Sequence, residues 1–192
     1  DRGREVVFAS SDAVYLGTRD VRRFLFPPEK ADDDPERVDN IVAAALTVGG
    51  SILVSDEDRD RVLRFDPKGK YLGTFPPHDI GERSVTRILV DPEGGILTLD
   101  RDPRLLRTWD ENGKLLRTVG PAGLKKPYDV ALDPFRNLYV ADEELGVLVF
   151  DPRGKLLTTI TSPRLKARAV TLEASGAVLV YDRRSERLLR FR

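Results

Sequence analysis

The chain reads as all-β, a β-propeller of repeated four-stranded blades, on three observations. Five segments align without a gap over fifteen columns; each holds two short apolar runs around a turn; and eight or nine residues after each segment an aromatic ends a third apolar run. No helical 3.6-residue periodicity intervenes between them. The segments are Arg4–Thr18, Val42–Asp56, Thr86–Asp100, Tyr128–Asp142 and Arg168–Asp182, and their last positions stand 38, 44, 42 and 40 residues apart. A period in that range is the mark of a repeat architecture, in which one unit cannot bury its own faces and must stack on the next.

The first two strands of each unit come from the aligned columns. In Ile88–Asp100 an apolar run, Asp91-Pro92-Glu93-Gly94-Gly95 and a second apolar run give strand, tight turn, strand. The third strand ends on Phe26, Phe65, Trp109, Phe150 or Phe191. These aromatics, Trp109 among them, are expected to pack in the core and not to stack nucleic-acid bases. In the middle three repeats the third strand runs into Asp-Pro-Lys-Gly-Lys (66–70), Asp-Glu-Asn-Gly-Lys (110–114) or Asp-Pro-Arg-Gly-Lys (151–155), each with a glycine where a hairpin needs positive φ. A fourth strand follows at Tyr71–Phe75, Leu115–Val119 and Leu156–Ile160. A two-sheet sandwich would not explain why the same turn chemistry returns in register five times. The expectation is one propeller domain over residues 1–192, with repeats at about 4–26, 42–75, 86–119, 128–160 and 168–192 and an acidic, proline-rich connection at 27–40.

On these residues a family resemblance rests. Asn137-Leu-Tyr-Val-Ala-Asp142, preceded by Pro127-Tyr-Asp-Val-Ala-Leu-Asp133 and followed by Val147-Leu-Val-Phe-Asp-Pro-Arg-Gly-Lys155, resembles an NHL repeat. The resemblance implies NHL-like four-stranded blades and a platform for protein, peptide or RNA, with some enzymatic relatives, and it implies a ring usually of six blades. Two departures stand out. The first repeat runs into Pro27-Pro28-Glu29-Lys30-Ala31-Asp32-Asp33-Asp34-Pro35, which is unfit for an inner strand, and the last repeat stops at Phe191-Arg192, where its turn and fourth strand should begin. Five blades closing alone, or five within a larger ring completed by residues upstream of Asp1, are both open at this stage. The chain contains no methionine, so a mature or excised piece is expected.

Composition narrows the function. Lys plus Arg and Asp plus Glu both number 32, so the formal net charge is zero and the long-range attraction to phosphate that serves nucleic-acid binders is missing. Nucleic acid is therefore not the expected partner. The chain has no cysteine and a single histidine, His78, which excludes thiolate chemistry and a histidine-rich metal site. His78 stands beside Asp79 in Pro76-Pro77-His78-Asp79 with no companion nucleophile, and reads as a loop residue. No GxGxxG, phosphate loop or HExxH occurs, so no cofactor is expected, and the longest apolar run, Ile41 to Val48, is too short to insert into a bilayer.

Alternate loops of an antiparallel blade fall at opposite ends. One end gathers the loops between second and third strands, Arg19-Asp20, Glu57–Asp60, Arg101–Arg104, Glu143-Glu144 and Arg183–Glu186, with the inter-blade loops Pro76–Ser84, Gly120–Pro127 and Ser162–Ala167. Longer and charge-dense, this rim is the candidate binding face for a protein or peptide, with an exposed blade edge as the other docking place. Its cationic candidates are Arg59, Arg101, Arg104, Lys125, Lys126, Arg183 and Arg184, suited to carboxylate or phosphate. The competing reading is that neighbouring Asp and Glu neutralise them into a self-paired, solvated surface. The recurring aspartates Asp56, Asp100, Asp142 and Asp182, with Thr18 in the same column, are expected to cap turns by accepting from backbone N–H groups rather than to hold a metal. The expected function is a non-catalytic interaction scaffold, with a lactonase- or lyase-type enzyme and an RNA-binding domain as its rivals.

Overall fold

The computed structural model describes residues 6–10, 13–17, 21–25, 34–76, 84–119 and 123–192. Thr18, Arg19, Asp20, Phe26, His78, Asp79 and residues 27–33 of the proline-rich connection lie outside them. Every regular element described is a strand. They are β1 (Val6–Ser10), β2 (Ala13–Gly17), β3 (Val21–Leu25), β4 (Ile41–Leu46), β5 (Ile52–Asp56), β6 (Arg61–Phe65), β7 (Tyr71–Thr74), β8 (Val85–Val90), β9 (Ile96–Asp100), β10 (Leu105–Trp109), β11 (Leu115–Val119), β12 (Pro127–Leu132), β13 (Leu138–Asp142), β14 (Gly146–Phe150), β15 (Leu156–Ile160), β16 (Ala167–Leu172), β17 (Val178–Asp182) and β18 (Arg187–Phe191). They form five sheets in which each strand pairs with its sequence neighbour. The sheets β4–β7, β8–β11 and β12–β15 have four strands; β1–β3 and β16–β18 have three among the described residues. The fold class read from the repeats is therefore the one observed.

Turn chemistry explains the hairpins. The Asp66 carboxylate accepts from the N–H groups of Lys68 and Lys70 at 2.8 and 2.9 Å, and Asp110 and Asp151 do the same for Asn112 and Lys114 and for Arg153 and Lys155. The glycines that follow, Gly69, Gly113 and Gly154, take φ of 91, 82 and 85°, where a Cβ would be strained. Each turn thus ties down two loop donors with one carboxylate and reverses the chain without a long loop.

Two compact units organise the chain, Asp1–Thr98 with Thr108–Leu116 and Leu99–Arg107 with Arg117–Arg192. In the first, β4 packs between β1 and β8, so β5 is buried on both faces. Ile52 and Val54 join Val14, Ile41, Leu63 and Phe65 on one side, while Leu53 joins Val62, Phe75, Val85, Ile88, Ile96 and Trp109 on the other. Alternation along one strand therefore feeds two cores, as stacked sheets require, and accounts for the near-continuous apolar runs of the middle strands. Trp109 meets Phe75 edge-on, 6.1 Å between centroids, and donates its indole N–H to Thr98 Oγ1 at 3.1 Å. In the second unit β12 and β16 are neighbours, and Ala141, Val147, Leu165, Ala167, Val170, Val178 and Val180 form the core between their sheets. The last strand of a four-stranded sheet faces water: β15 is exposed at four of its five positions.

Candidate functional site

A repeated backbone clamp builds the loop end of three of the blades. Asp142 Oδ2 accepts from the N–H groups of Lys125 and Lys126 at 2.7 and 2.9 Å, and the N–H of Glu143, the next residue, donates back to Lys126 O at 2.9 Å. Lys126 is thus held from both its amide and its carbonyl as the chain enters β12. Asp182 and Arg183 hold Lys166 in the same way before β16, and Asp56 and Glu57 hold Asn40 before β4. Asp142 Oδ1 also accepts from Glu144 and Leu145, which caps the β13–β14 turn. The recurring aspartates therefore serve backbone N–H groups. No group of three or more His, Cys, Asp or Glu side chains placed to hold a metal occurs among the described residues. Asp100 departs from the pattern: its Oδ2 is bound by the guanidinium of Arg107, whose pKa burial lowers.

Just inside the clamp, the first strand of each of these three blades carries a bulge. The register of β12 on β13 jumps between Pro127 and Asp129, that of β16 on β17 between Ala167 and Ala169, and that of β4 on β5 between Ile41 and Ala43. The extra residues are Tyr128, Arg168 and Val42, the first column of their aligned segments. A bulge turns its extra side chain out of the pleat. In the second unit this brings Arg168 flat against Tyr128, its guanidinium carbon 3.6 Å from the ring centroid.

The clamp and the bulge together assemble a charge cluster on Glu143, whose side chain is only 10% exposed. Lys126 Nζ donates to its Oε1 at 3.0 Å, and Arg168 Nη1 and Arg183 Nη1 donate to its Oε2 at 3.1 and 3.3 Å. The hydrogen bond from Lys126, ahead of the opposing effect of burial and the pull of Arg183, holds the Glu143 carboxyl below the usual glutamate range; the same bond raises Lys126. Lys126 also lies 5.9 Å above the Tyr128 ring.

Of the cations read as candidates from the sequence, the structure brings Lys126 and Arg183 together. Lys125 and Arg184 flank them with exposed side chains and backbone N–H groups donated to Asp142 and Asp182. Arg59 belongs to the first unit, where its Nε donates to Asp39, itself also bound by Arg37. Arg101 and Arg104 stand exposed in the β9–β10 turn, in a different sheet from Glu143. Sequence reasoning passed over Arg168 and Tyr128, because both sit in strands. The signal available was their column, which holds Arg, Val, Thr, Tyr and Arg before positions that are mostly apolar.

At the opposite end of the second unit, the β12–β13 and β16–β17 turns enclose a cavity of about 410 Å³ lined by Phe135, Tyr139, Leu172 and the 173–176 turn. Its carboxylates are engaged from within: Asp133 accepts from Phe135 and Asn137, and Glu173 holds Arg190 through both oxygens.

No protein-family model and no curated protein sequence matches the chain. Solved structures do. Virginiamycin B lyase from Staphylococcus aureus superposes with a TM-score of 0.68 at 12% identity, covering 99% of this chain and 70% of the lyase. The WD40 β-propeller domain of Doa1 gives 0.69 at 19% identity over 96% of this chain and 61% of that one. A chain of the nidogen/laminin complex gives 0.70 at 20% identity over 93% and 70%. At such identities the likeness carries architecture and not chemistry. With five antiparallel sheets joined strand to neighbouring strand, the chain has the β-propeller fold.

Proposed function

We propose that the chain is a non-catalytic, NHL-like propeller domain that docks a protein or peptide partner on the loop end of its blades. The observation that carries this reading is the Glu143 cluster, three cationic side chains gathered around one carboxylate at the end of two blades where a backbone clamp holds the loops in place. The clamp fixes the backbone of this rim, so a partner has less of it to order on binding. The residue inventory points the same way. A lone histidine and no cysteine leave out histidine-paired and thiolate nucleophiles, and the fold neighbours include a lyase, a WD40 domain and a chain of a nidogen/laminin complex, which favour no single activity.

Chemical crosslinking followed by affinity purification from the native host tests the proposal. A stoichiometric partner crosslinked through the loops around Lys126 and Arg183 is the expected result. Turnover of a small molecule by the purified chain, with no partner recovered, would replace this reading with the enzymatic one.

A further inference from the structure

The chain carries no net charge, yet its charge is unevenly spread in the second unit. Segments 123–128, 142–146, 162–168 and 182–187, which converge on the clamped end of β12–β18, contain eight Lys and Arg against five Asp and Glu, an excess of three positive charges. Two of the five acids, Asp142 and Asp182, lie beneath the surface and are engaged by backbone N–H groups.

We propose that Lys126, Arg168 and Arg183 form a subsite for an acidic side chain, aspartate or glutamate, of a bound peptide. Glu143 balances one of the three cations and orients all of them. It spends a single donor atom of each, so Lys126 keeps further ammonium protons and Arg183 the rest of its planar fork. Both remain open to solvent, with Lys126 44% and Arg183 58% exposed, whereas Arg168 is pinned by Tyr128. Stacking on a ring removes the rotamer freedom that makes an isolated surface arginine a poor binder. A guanidinium fork beside an ammonium suits a bidentate carboxylate contact at short range. The zero net charge of the whole chain disfavours a long polyanion, whose affinity grows from a broad basic field. The choice of a peptide as ligand rests on the interaction reading above.

The test is a fluorescence-anisotropy titration of the purified chain with a labelled, C-terminally amidated peptide of four glutamates flanked by glycines, beside its glutamine counterpart. The glutamate peptide is expected to bind at least about tenfold more tightly. Lys126→Gln and Arg183→Gln should each weaken it about threefold to tenfold, and Arg190→Gln, which removes a charge bound to Glu173, less than about twofold. Far-ultraviolet circular dichroism confirms that the variants keep their sheet. Equal affinity for the two peptides, binding untouched by both rim variants, or tighter binding of a neutral peptide with a free C-terminus or of a single-stranded RNA would each overturn the subsite. A partner still crosslinked by the Lys126→Gln, Arg183→Gln protein overturns the subsite and leaves the interaction reading standing. Selective acidic-peptide binding in a chain that recruits no partner does the reverse.

Discussion

Arg168 and Tyr128 occupy the same bulged position in successive blades, and the guanidinium of one lies on the ring of the other at 3.6 Å. The repeat itself creates the contact: two extra residues, one per blade, are turned out at the same height of adjacent first strands. This stack, with the salt link to Glu143, joins two sheets at their loop end. Asp129 adds a second tie by accepting from the N–H of Val170 at 3.0 Å.

A double-mutant cycle on this pair should show coupling. Arg168→Ala and Tyr128→Ala are each expected to destabilise the chain, and the pair to cost less than the sum by about 0.5–1 kcal/mol, the range of a partly exposed cation–π contact. Urea denaturation of the four proteins measures it. Strict additivity would show that the stack contributes nothing beyond separate packing.

Removing the clamp carboxylate should cost more. Asp142→Ala strips the acceptor from the N–H groups of Lys125, Lys126, Glu144 and Leu145 at a site where Asp142 is fully buried, so the expected loss is about 3 kcal/mol. Asp142→Asn, which keeps one carbonyl oxygen, should lose roughly half of that. A loss below about 1 kcal/mol for the alanine variant would mean that the loop finds other acceptors.

Gly146 closes the turn that Asp142 caps. Its φ is +97°, and a Cβ there would come within 2.5 Å of the Ile160 carbonyl oxygen, a backbone atom of the neighbouring strand β15. Gly146→Ala therefore meets both a disfavoured dihedral and a contact that no rotamer relieves, and should destabilise by about 2–4 kcal/mol in thermal or urea unfolding. Gly176→Ala has a similar φ of +82° with open space around it, and should cost only about 1 kcal/mol.

The two glycines also show which parts of the molecule the sequence announces. Turns written as Asp-x-x-Gly-Lys and the column of closing aspartates depend on bonds within a few residues or within one hairpin, and local spacing betrays them. The five sheets follow from those turns. The Glu143 cluster depends instead on which side chains two successive blades aim at each other. Its members lie at positions 126, 128, 143, 168 and 183, and a one-residue bulge, invisible to a period-2 pattern, decides that Tyr128 and Arg168 meet. Charge alone ranked Arg59, Arg101 and Arg104 beside Lys126 and Arg183; sheet membership separates them.

Trp109 reports on the first unit. It is the only tryptophan, buried against Phe75 and bonded to Thr98, so its emission is expected to be blue-shifted in the native chain and to move to the red on unfolding. Trp109→Phe leaves Thr98 without its indole partner and opens a small void, with an expected cost of about 1–3 kcal/mol in urea unfolding followed by circular dichroism. A native emission maximum equal to that of the urea-unfolded chain would contradict the burial.

Acid should loosen the second unit through Glu173. The two hydrogen bonds from Arg190, reinforced by the Ser175 hydroxyl, hold this carboxyl at about 2, well below its ordinary 4.5. A folded-state pKa below the unfolded one means that the unfolded chain binds the proton more readily, so the stabilisation is complete above about pH 4.5 and drains away as pH falls toward 2. Both partners are partly exposed and water screens them, so the effect is small beside that of the buried clamp. Other carboxylates, Asp66 and Asp151 among them, are lowered by backbone N–H donors and titrate in acid too. The difference between the native chain and Glu173→Gln isolates the one group: the variant should unfold at lower urea at pH 7, and the gap should close between about pH 4.5 and pH 2. A gap that stays constant across that window would show that the Glu173 and Arg190 charges do not interact in solution.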